Sequence, residues 1–116
     1  MPLGWLAATR NSWAGLRHAL RNERSVRQEA ATLALGVVVA PLVAETWRHG
    51  IGLVSLLGTV VVVELLNNAV EAVCDRVTAD RDPLIKVAKD SGSAAVTLTI
   101  AVAAAFWIEA AWRTLL

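Results

Sequence analysis

The apolar run from Ile51 to Val73 constrains the fold of this chain more than any other feature of its sequence. At about 1.5 Å per residue, a helix of this length crosses the hydrocarbon core of a bilayer with some tilt. Backbone groups inside a membrane must be paired within the protein, so the run predicts an α-helix. Hydrophobic residues make up 56% of the 116 residues, above the roughly 45–50% of an ordinary soluble domain. We therefore expect an all-α membrane protein.

Polar side chains follow one side of the second half of this run. At about 100° per residue they fall within one stripe roughly 100° wide. Charged groups in a membrane-length helix are costly and usually face a bundle interior or a watery site, so the stripe indicates a functional site. The alternative is a set of buried hydrogen bonds that only fixes helix packing. The stripe consists of Glu64, Asn67, Asn68, Glu71 and Asp75.

The remaining segments predict an N-terminal amphipathic surface helix and two further transmembrane helices. Residues from about 6 to 27 carry arginines along one flank and leucine and tryptophan on the other side, a pattern typical of a helix that lies in the membrane interface. We expect residues 1–116 to form a single membrane domain, with transmembrane helices at about 29–47, 51–73 and 91–113. Near the chain end, Trp107 and Trp112 are expected in the aromatic belt, where Glu109 pairs with Arg113.

Basic residues are concentrated before the first apolar run and between the second and third. Arg48 is the only arginine or lysine between the first and second runs. By the positive-inside rule, the N-terminus and the second connection are cytoplasmic and the C-terminus lies on the outer side. The polar stripe then opens toward the cytosol. A formal net charge of +1, with no zinc-finger or RNA-binding signature, indicates no nucleic-acid partner.

The acids, amides and lysine of the cytoplasmic half have the parts of a phosphoryl-transfer site. Carboxylates suit Mg²⁺, which keeps water and substrate phosphates, and a lysine suits a terminal phosphate. A carboxylate partly withdrawn from water is a better proton acceptor, and Glu64 fits that description. The same parts suit an ion path, so the chemistry leaves both an enzyme and a small oligomeric ion or proton transporter subunit open. The nucleotide motifs G-x-x-x-x-G-K-[ST], G-x-G-x-x-G and H-R-D are absent from the sequence, which excludes a soluble-kinase fold.

Three blocks of the sequence resemble, in order and spacing, the diagnostic blocks of the small integral-membrane prokaryotic diacylglycerol kinases. They are Arg27-Gln28-Glu29, residues 63–76 and residues 88–96, and the resemblance extends from Trp13 to Trp112. It implies a surface helix and three transmembrane helices, assembled as a homotrimeric bundle whose active sites are shared between subunits. It also implies transfer of the ATP γ-phosphate to diacylglycerol, giving phosphatidate, in the bacterial cytoplasmic (inner) membrane. An undecaprenol kinase of the same family is the alternative enzyme.

The resemblance also implies a role for each matching residue. Glu64 corresponds to the catalytic base, and Glu23 and Glu71 to ligands of Mg²⁺ bound with ATP. The residues implied on the nucleotide side are Glu23, Asn67, Glu71, Asp75, Lys89 and Asp90. Those implied on the lipid side are Trp13, Arg27, Glu29, Glu64 and Ser93. The other expected partners are membrane lipids.

Overall fold

The computed structural model of the chain describes residues 4–78 and 80–116, and four α-helices make up almost all of these ranges. Positions 1–3 and 79 of the predicted domain lie outside the described residues. Three of the helices are long and apolar enough to cross a membrane. The prediction of an all-α, multi-pass membrane protein is therefore confirmed. The helices are α1 (Gly4–Asn22), α2 (Arg24–Val43), α3 (Trp47–Val77) and α4 (Pro83–Leu115).

Helix α3 is the central element, because it packs against both α2 and α4, whereas α1 packs against α2. Its 31 residues extend over about 46 Å, so its ends project beyond a hydrocarbon core of about 30 Å. A glycine allows α2 to approach α3 closely. A Cβ atom at Gly36 would lie 2.3 Å from Cδ1 of Leu57.

The apolar core lies toward the end of the bundle where α2 turns into α3. Val43, Leu53 and Ala110 are buried there, and Trp107 packs against them. The indole Nε1 of Trp107 donates a hydrogen bond of 2.9 Å to the carbonyl oxygen of Leu53. The ring of Trp107 therefore points into the bundle, and its place in the aromatic belt stays a prediction. Trp112 is exposed.

The predicted surface helix at about 6–27 is interrupted in the structure. Glu23 has extended backbone angles of φ −114° and ψ 112°, so α1 ends at Asn22 and residues 24–27 belong to α2. At its other end α2 stops at Val43 and Ala44 is extended. The first transmembrane helix therefore lies a few residues earlier than the predicted range of 29–47.

The other two long helices begin earlier than their apolar segments. Helix α3 starts at Trp47 because the side chain of Thr46 caps it, accepting a 3.1 Å hydrogen bond from the backbone N–H of His49. Helix α4 starts at Pro83, where Asp82 accepts hydrogen bonds from two backbone N–H groups of the first turn. Charged residues such as Arg48, Lys86 and Lys89 interrupt the apolar runs in these extra turns, so hydrophobicity alone did not mark them.

Candidate active site

A polar cavity of about 360 Å³ lies where the α1–α2 joint meets α3 and α4. It brings together six of the residues to which the sequence assigned a role, from three separate segments of the chain. The roles of these six residues stay predictions, but the structure places the residues around one cavity. The cavity is lined by Glu23, Ser25, Glu29, Glu64, Asn67, Asn68, Glu71, Ser93, Val96, Thr97 and Ile100.

Glu64 is the most enclosed acid of the cavity. Its exposed fraction is 6%, and it is the one charged residue that is buried among the described residues. Asn67 and Glu71 follow it at three and seven residues along α3, a spacing that places all three on one face. A buried carboxylate is costly unless it is paired or protonated. Glu64 is therefore the acid of this cavity that is most shielded from water.

Three buried polar atoms of the cavity find no hydrogen-bond partner among the described residues: Oε2 of Glu29, Oδ1 of Asn67 and Nδ2 of Asn68. Buried polar groups are normally paired, and an unpaired one costs about 1–3 kcal/mol. The two oxygens can accept from a hydroxyl group or coordinate a cation, and the amide nitrogen can donate to a phosphate oxygen. This set of atoms suits a polar ligand that carries both hydroxyl and phosphate groups.

Helix α4 approaches the cavity closely because of a glycine. A Cβ atom at Gly92 would lie 2.2 Å from Oδ1 of Asn67. Small residues at helix interfaces in membranes allow backbones to approach in this way. The amide of Asn67 therefore packs directly against the backbone of α4, next to Ser93.

A second polar group lies outside the cavity, at the start of α4. Nζ of Lys89 is 2.7 Å from Oδ1 of Asp75 and links α4 to the end of α3, while Lys86 pairs with Asp90 one turn later on its own helix. All four side chains are substantially exposed. The structure thus separates the predicted nucleotide-side residues into those of the cavity and those of this surface group. A groove of about 590 Å³ beside it is lined by Asp80, Arg81, Asp82, Pro83, Ile85, Lys86, Lys89 and Asp90.

Two residues implied on the lipid side do not line the cavity. Trp13 lies on α1 with 63% of its surface exposed. The guanidinium of Arg27 is turned toward α1, where its Nη1 donates to the carbonyl oxygens of Leu20, at 3.2 Å, and Arg21, at 3.0 Å.

Several other residues that line the cavity had no role predicted from the sequence. Asn68 belonged to the polar stripe, and Thr97 follows Ser93 by one helical turn, so local spacing carried a signal for both. Ser25 had no such signal, because its place beside Glu64 depends on the break between α1 and α2.

The described residues contain no group of three or more His, Cys, Asp or Glu side chains that could hold a metal ion. Glu23 and Glu71 nevertheless line the same cavity. Mg²⁺ is commonly bound through one or two carboxylates together with substrate phosphates. The donor set therefore fits a magnesium–nucleotide complex better than a metal centre made by the protein alone.

The sequence matches known proteins over most of its length. A family profile described as "Prokaryotic diacylglycerol kinase" matches residues 10–110. The chain belongs to the prokaryotic diacylglycerol kinase family. The resemblance found in the sequence is thereby confirmed, and every residue that lines the cavity lies within the matched range of this family.

Individual members of the prokaryotic diacylglycerol kinase family give the same result. The chain is 42% identical over 101 residues to a diacylglycerol kinase of Escherichia coli strain K12, covering 87% of this chain and 83% of the relative. It is 37% identical over 111 residues to one of Pseudomonas aeruginosa strain PAO1, covering 96% and 86%. It is 34% identical over 100 residues to one of Haemophilus influenzae strain Rd, covering 86% and 85%.

Proposed function

We propose that this chain is an ATP-dependent diacylglycerol kinase that transfers the γ-phosphate of ATP to the free hydroxyl of diacylglycerol, giving phosphatidate. Membership of the family supports a lipid kinase. The observation that carries the catalytic assignment is the burial of Glu64 in a cavity that Glu23 and Glu71 also line. A nearly buried carboxylate suits a proton acceptor, and the two neighbouring acids suit the magnesium–nucleotide side.

In this mechanism Glu64 acts as the general base. Its carboxylate accepts the proton of the lipid hydroxyl while the hydroxyl oxygen forms a bond to the γ-phosphorus. The bond between the γ-phosphorus and the bridging oxygen breaks at the same time, and that oxygen leaves with ADP. Catalysis of phosphoryl transfer is largely positioning and electrostatic stabilisation. The amides of Asn67 and Asn68 can contribute through hydrogen bonds that orient the reacting groups.

Glu23 and Glu71 would hold Mg²⁺ with the ATP phosphates. The ion would offset negative charge on the transferring phosphate. Lys89, Asp75 and Asp90 lie outside the cavity in this chain, and we place them at the cytoplasmic side of the nucleotide.

An apolar cavity beside the polar one supports a lipid as the acceptor. It has a volume of about 430 Å³ between α2, α3 and α4, and Glu29 and Ile100 line both cavities. A lipid whose hydroxyl lies near Glu64 can extend its hydrocarbon along this surface. Glu29 and Ser93 then lie near the lipid headgroup.

We further propose that the protein is a homotrimer with shared active sites in the bacterial inner membrane. The N-terminus and the active site face the cytoplasm and the C-terminus faces outward. The distribution of basic residues supports this orientation. The many large apolar side chains exposed on α2, α3 and α4 support burial against lipid and other subunits.

The deciding experiment is single-turnover phosphorylation with ATP and Mg²⁺ in mixed micelles, with diacylglycerol and undecaprenol offered in parallel. Wild type is expected to form phosphatidate rapidly. Glu64→Gln is expected to lose about 100-fold or more of the rate because it cannot accept the proton, while Mg-ATP binding is retained. Glu109→Gln is the matched control, since it makes the same change at the far end of α4 and is expected to leave the rate unchanged.

Each other outcome has a definite meaning. Preference for undecaprenol moves the substrate to the alternative lipid alcohol. No transfer to either lipid by folded protein contradicts the kinase proposal and favours an ion path through Glu64. Equal rates of wild type and Glu64→Gln contradict the role of Glu64 as the base.

A further inference from the structure

The break between α1 and α2 places an acid in the active-site cavity. Glu23 occupies the N-cap position of α2, but its side chain makes no capping hydrogen bond. Helix N-caps are usually Ser, Thr, Asp or Asn, whose side chains accept from the first turn. The carboxylate of Glu23 instead lines the polar cavity. The break therefore leaves the start of α2 without a side-chain cap and places the acid Glu23 in the cavity.

Breaking the helix also leaves three backbone carbonyl groups, those of Leu20, Arg21 and Asn22, without their usual donors four residues later. In an uninterrupted helix, the carbonyl oxygens of Leu20 and Arg21 would accept from the N–H groups of Arg24 and Ser25, four residues later. Here α2 starts afresh at Arg24, after an extended Glu23. Unpaired carbonyls at a helix end need another donor.

Arg27 supplies that donor. Its Nη1 lies 3.2 Å from the carbonyl oxygen of Leu20 and 3.0 Å from that of Arg21. Side chains of a helix point toward its N-terminus, so a residue one turn into α2 can reach back across the joint. A cation at the carboxyl end of α1 is also favoured by the helix dipole. One side chain of α2 thus replaces two of the three hydrogen bonds lost at the break.

Apolar packing at the joint fixes the contact between the helices but not their relative direction. Val26 is fully buried, and Ala19 is also buried. Such packing is non-directional, whereas hydrogen bonds from a planar guanidinium depend on geometry. The two hydrogen bonds of Arg27 are therefore directional contacts at the joint, beside the non-directional apolar packing.

We infer that Arg27 is a positioning residue, which clamps the end of α1 and thereby holds Glu23 at the magnesium–nucleotide side of the cavity. This inference rests on the proposed function, in which Glu23 faces Mg-ATP. It differs from the lipid-side role that the resemblance implies for Arg27. The two roles predict effects on different substrates: loss of the clamp raises the half-saturation concentration of Mg-ATP, and loss of a lipid contact raises that of the lipid.

The test compares Arg27→Met with Arg24→Met. Arg24 is an exposed arginine on the same helix, so its variant makes the same change of charge without removing the clamp. The half-saturation concentrations of Mg-ATP and of dioctanoylglycerol are measured separately on full-length protein. For Arg27→Met we expect the Mg-ATP value to rise about tenfold or more, from loss of two charge-assisted hydrogen bonds. The lipid value is expected to stay within about twofold of wild type, and Arg24→Met to change neither.

Arg27→Lys is the conservative variant. It keeps the charge and a donor but not the guanidinium geometry, so its Mg-ATP value is expected between those of wild type and Arg27→Met. A rise in the lipid value equal to or larger than the rise for Mg-ATP overturns the inference. So does an Arg27→Met enzyme with both values unchanged.

A second measurement gives the distance between α1 and α2 across the joint and does not depend on enzyme activity. Spin labels at positions 12 and 34, both exposed, report the distance between α1 and α2 in a Cys74→Ser background. Arg27→Met is expected to broaden the distance distribution, and Arg24→Met to leave it unchanged. An unchanged distribution in Arg27→Met overturns the clamp. If wild type transfers no phosphate, the proposed function fails, and this measurement still decides the role of Arg27 at the joint.

Discussion

Asn67 owes its position in the cavity to a residue on another helix. If Gly92 had a Cβ atom, that atom would lie only 2.2 Å from Oδ1 of Asn67. A methyl group at position 92 must therefore displace the amide, or the two helices must separate. Because Asn67 lies between Glu64 and Glu71 on the same face of α3, either movement disturbs the site.

Gly92→Ala is accordingly expected to lower the rate of lipid phosphorylation, by as much as about 100-fold if the reacting groups shift by about 1 Å. Gly58→Ala is the matched control, since a Cβ atom at Gly58 would meet nothing within 4 Å. Both variants are measured by single-turnover phosphorylation of diacylglycerol.

The same substitution in an Asn67→Ala background identifies the cause. With the longer side chain removed, Gly92→Ala is expected to add little further loss, because the two substitutions act through one contact. A loss from Gly92→Ala as large in the Asn67→Ala background as in wild type would show that Gly92 acts through something other than Asn67.

At the scale of helices, α4 is fastened to its neighbours at the end of the bundle away from the cavity. The indole N–H of Trp107 donates a hydrogen bond to the carbonyl oxygen of Leu53 on α3. The hydroxyl of Thr114 donates one to the carbonyl oxygen of Val43 at the end of α2. Arg113 also pairs with Glu45 beside the α2–α3 turn and, as predicted, with Glu109 on its own helix. The exposed ion pairs contribute little, typically below about 1 kcal/mol. The attachment therefore depends mainly on the hydrogen bonds of Trp107 and Thr114 and on the apolar packing around Trp107.

Trp107→Phe is expected to lower the free energy of unfolding by about 1–3 kcal/mol, through the lost hydrogen bond and the smaller ring. Trp112→Phe, at an exposed position of the same helix, is the control and is expected to change it much less. Equilibrium unfolding in mixed micelles measures both. Equal losses in the two variants would contradict the inward role of Trp107.

At the scale of the whole molecule, one chain offers a thin bundle with principal extents of 52 × 42 × 23 Å. The acids of the cavity come from a single chain, whereas Lys89 lies in the separate surface group near the start of α4. In the homotrimer that we propose, a neighbouring subunit can supply the second group to the cavity of the first.

Mixing inactive variants tests this arrangement. Co-assembled Glu64→Gln and Lys89→Met chains are expected to recover phosphorylation of diacylglycerol, because some sites then combine an intact cavity with an intact lysine. Glu64→Gln mixed with Glu71→Gln is expected to stay inactive, since both acids line the cavity of one chain. Absence of recovery in the first mixture would mean that each subunit supplies its own Lys89.

The sequence by itself determined the features that depend on neighbours within one helix. The apolar segments predicted an all-α membrane protein, and a spacing of three and four residues put Glu64, Asn67 and Glu71 on one face of α3. Each of these features depends on backbone hydrogen bonds that reach no further than four residues.

Only the tertiary structure decided which side chains from other helices complete the site. Four features of the fold have no signature in the local sequence. They are the extended backbone at Glu23, the contact of Arg27 with α1, the approach of Gly92 to Asn67 and the inward ring of Trp107. Each depends on where two helices cross and on the volumes that meet there. A single helix specifies the direction in which its side chains point, but two helices together specify what they touch.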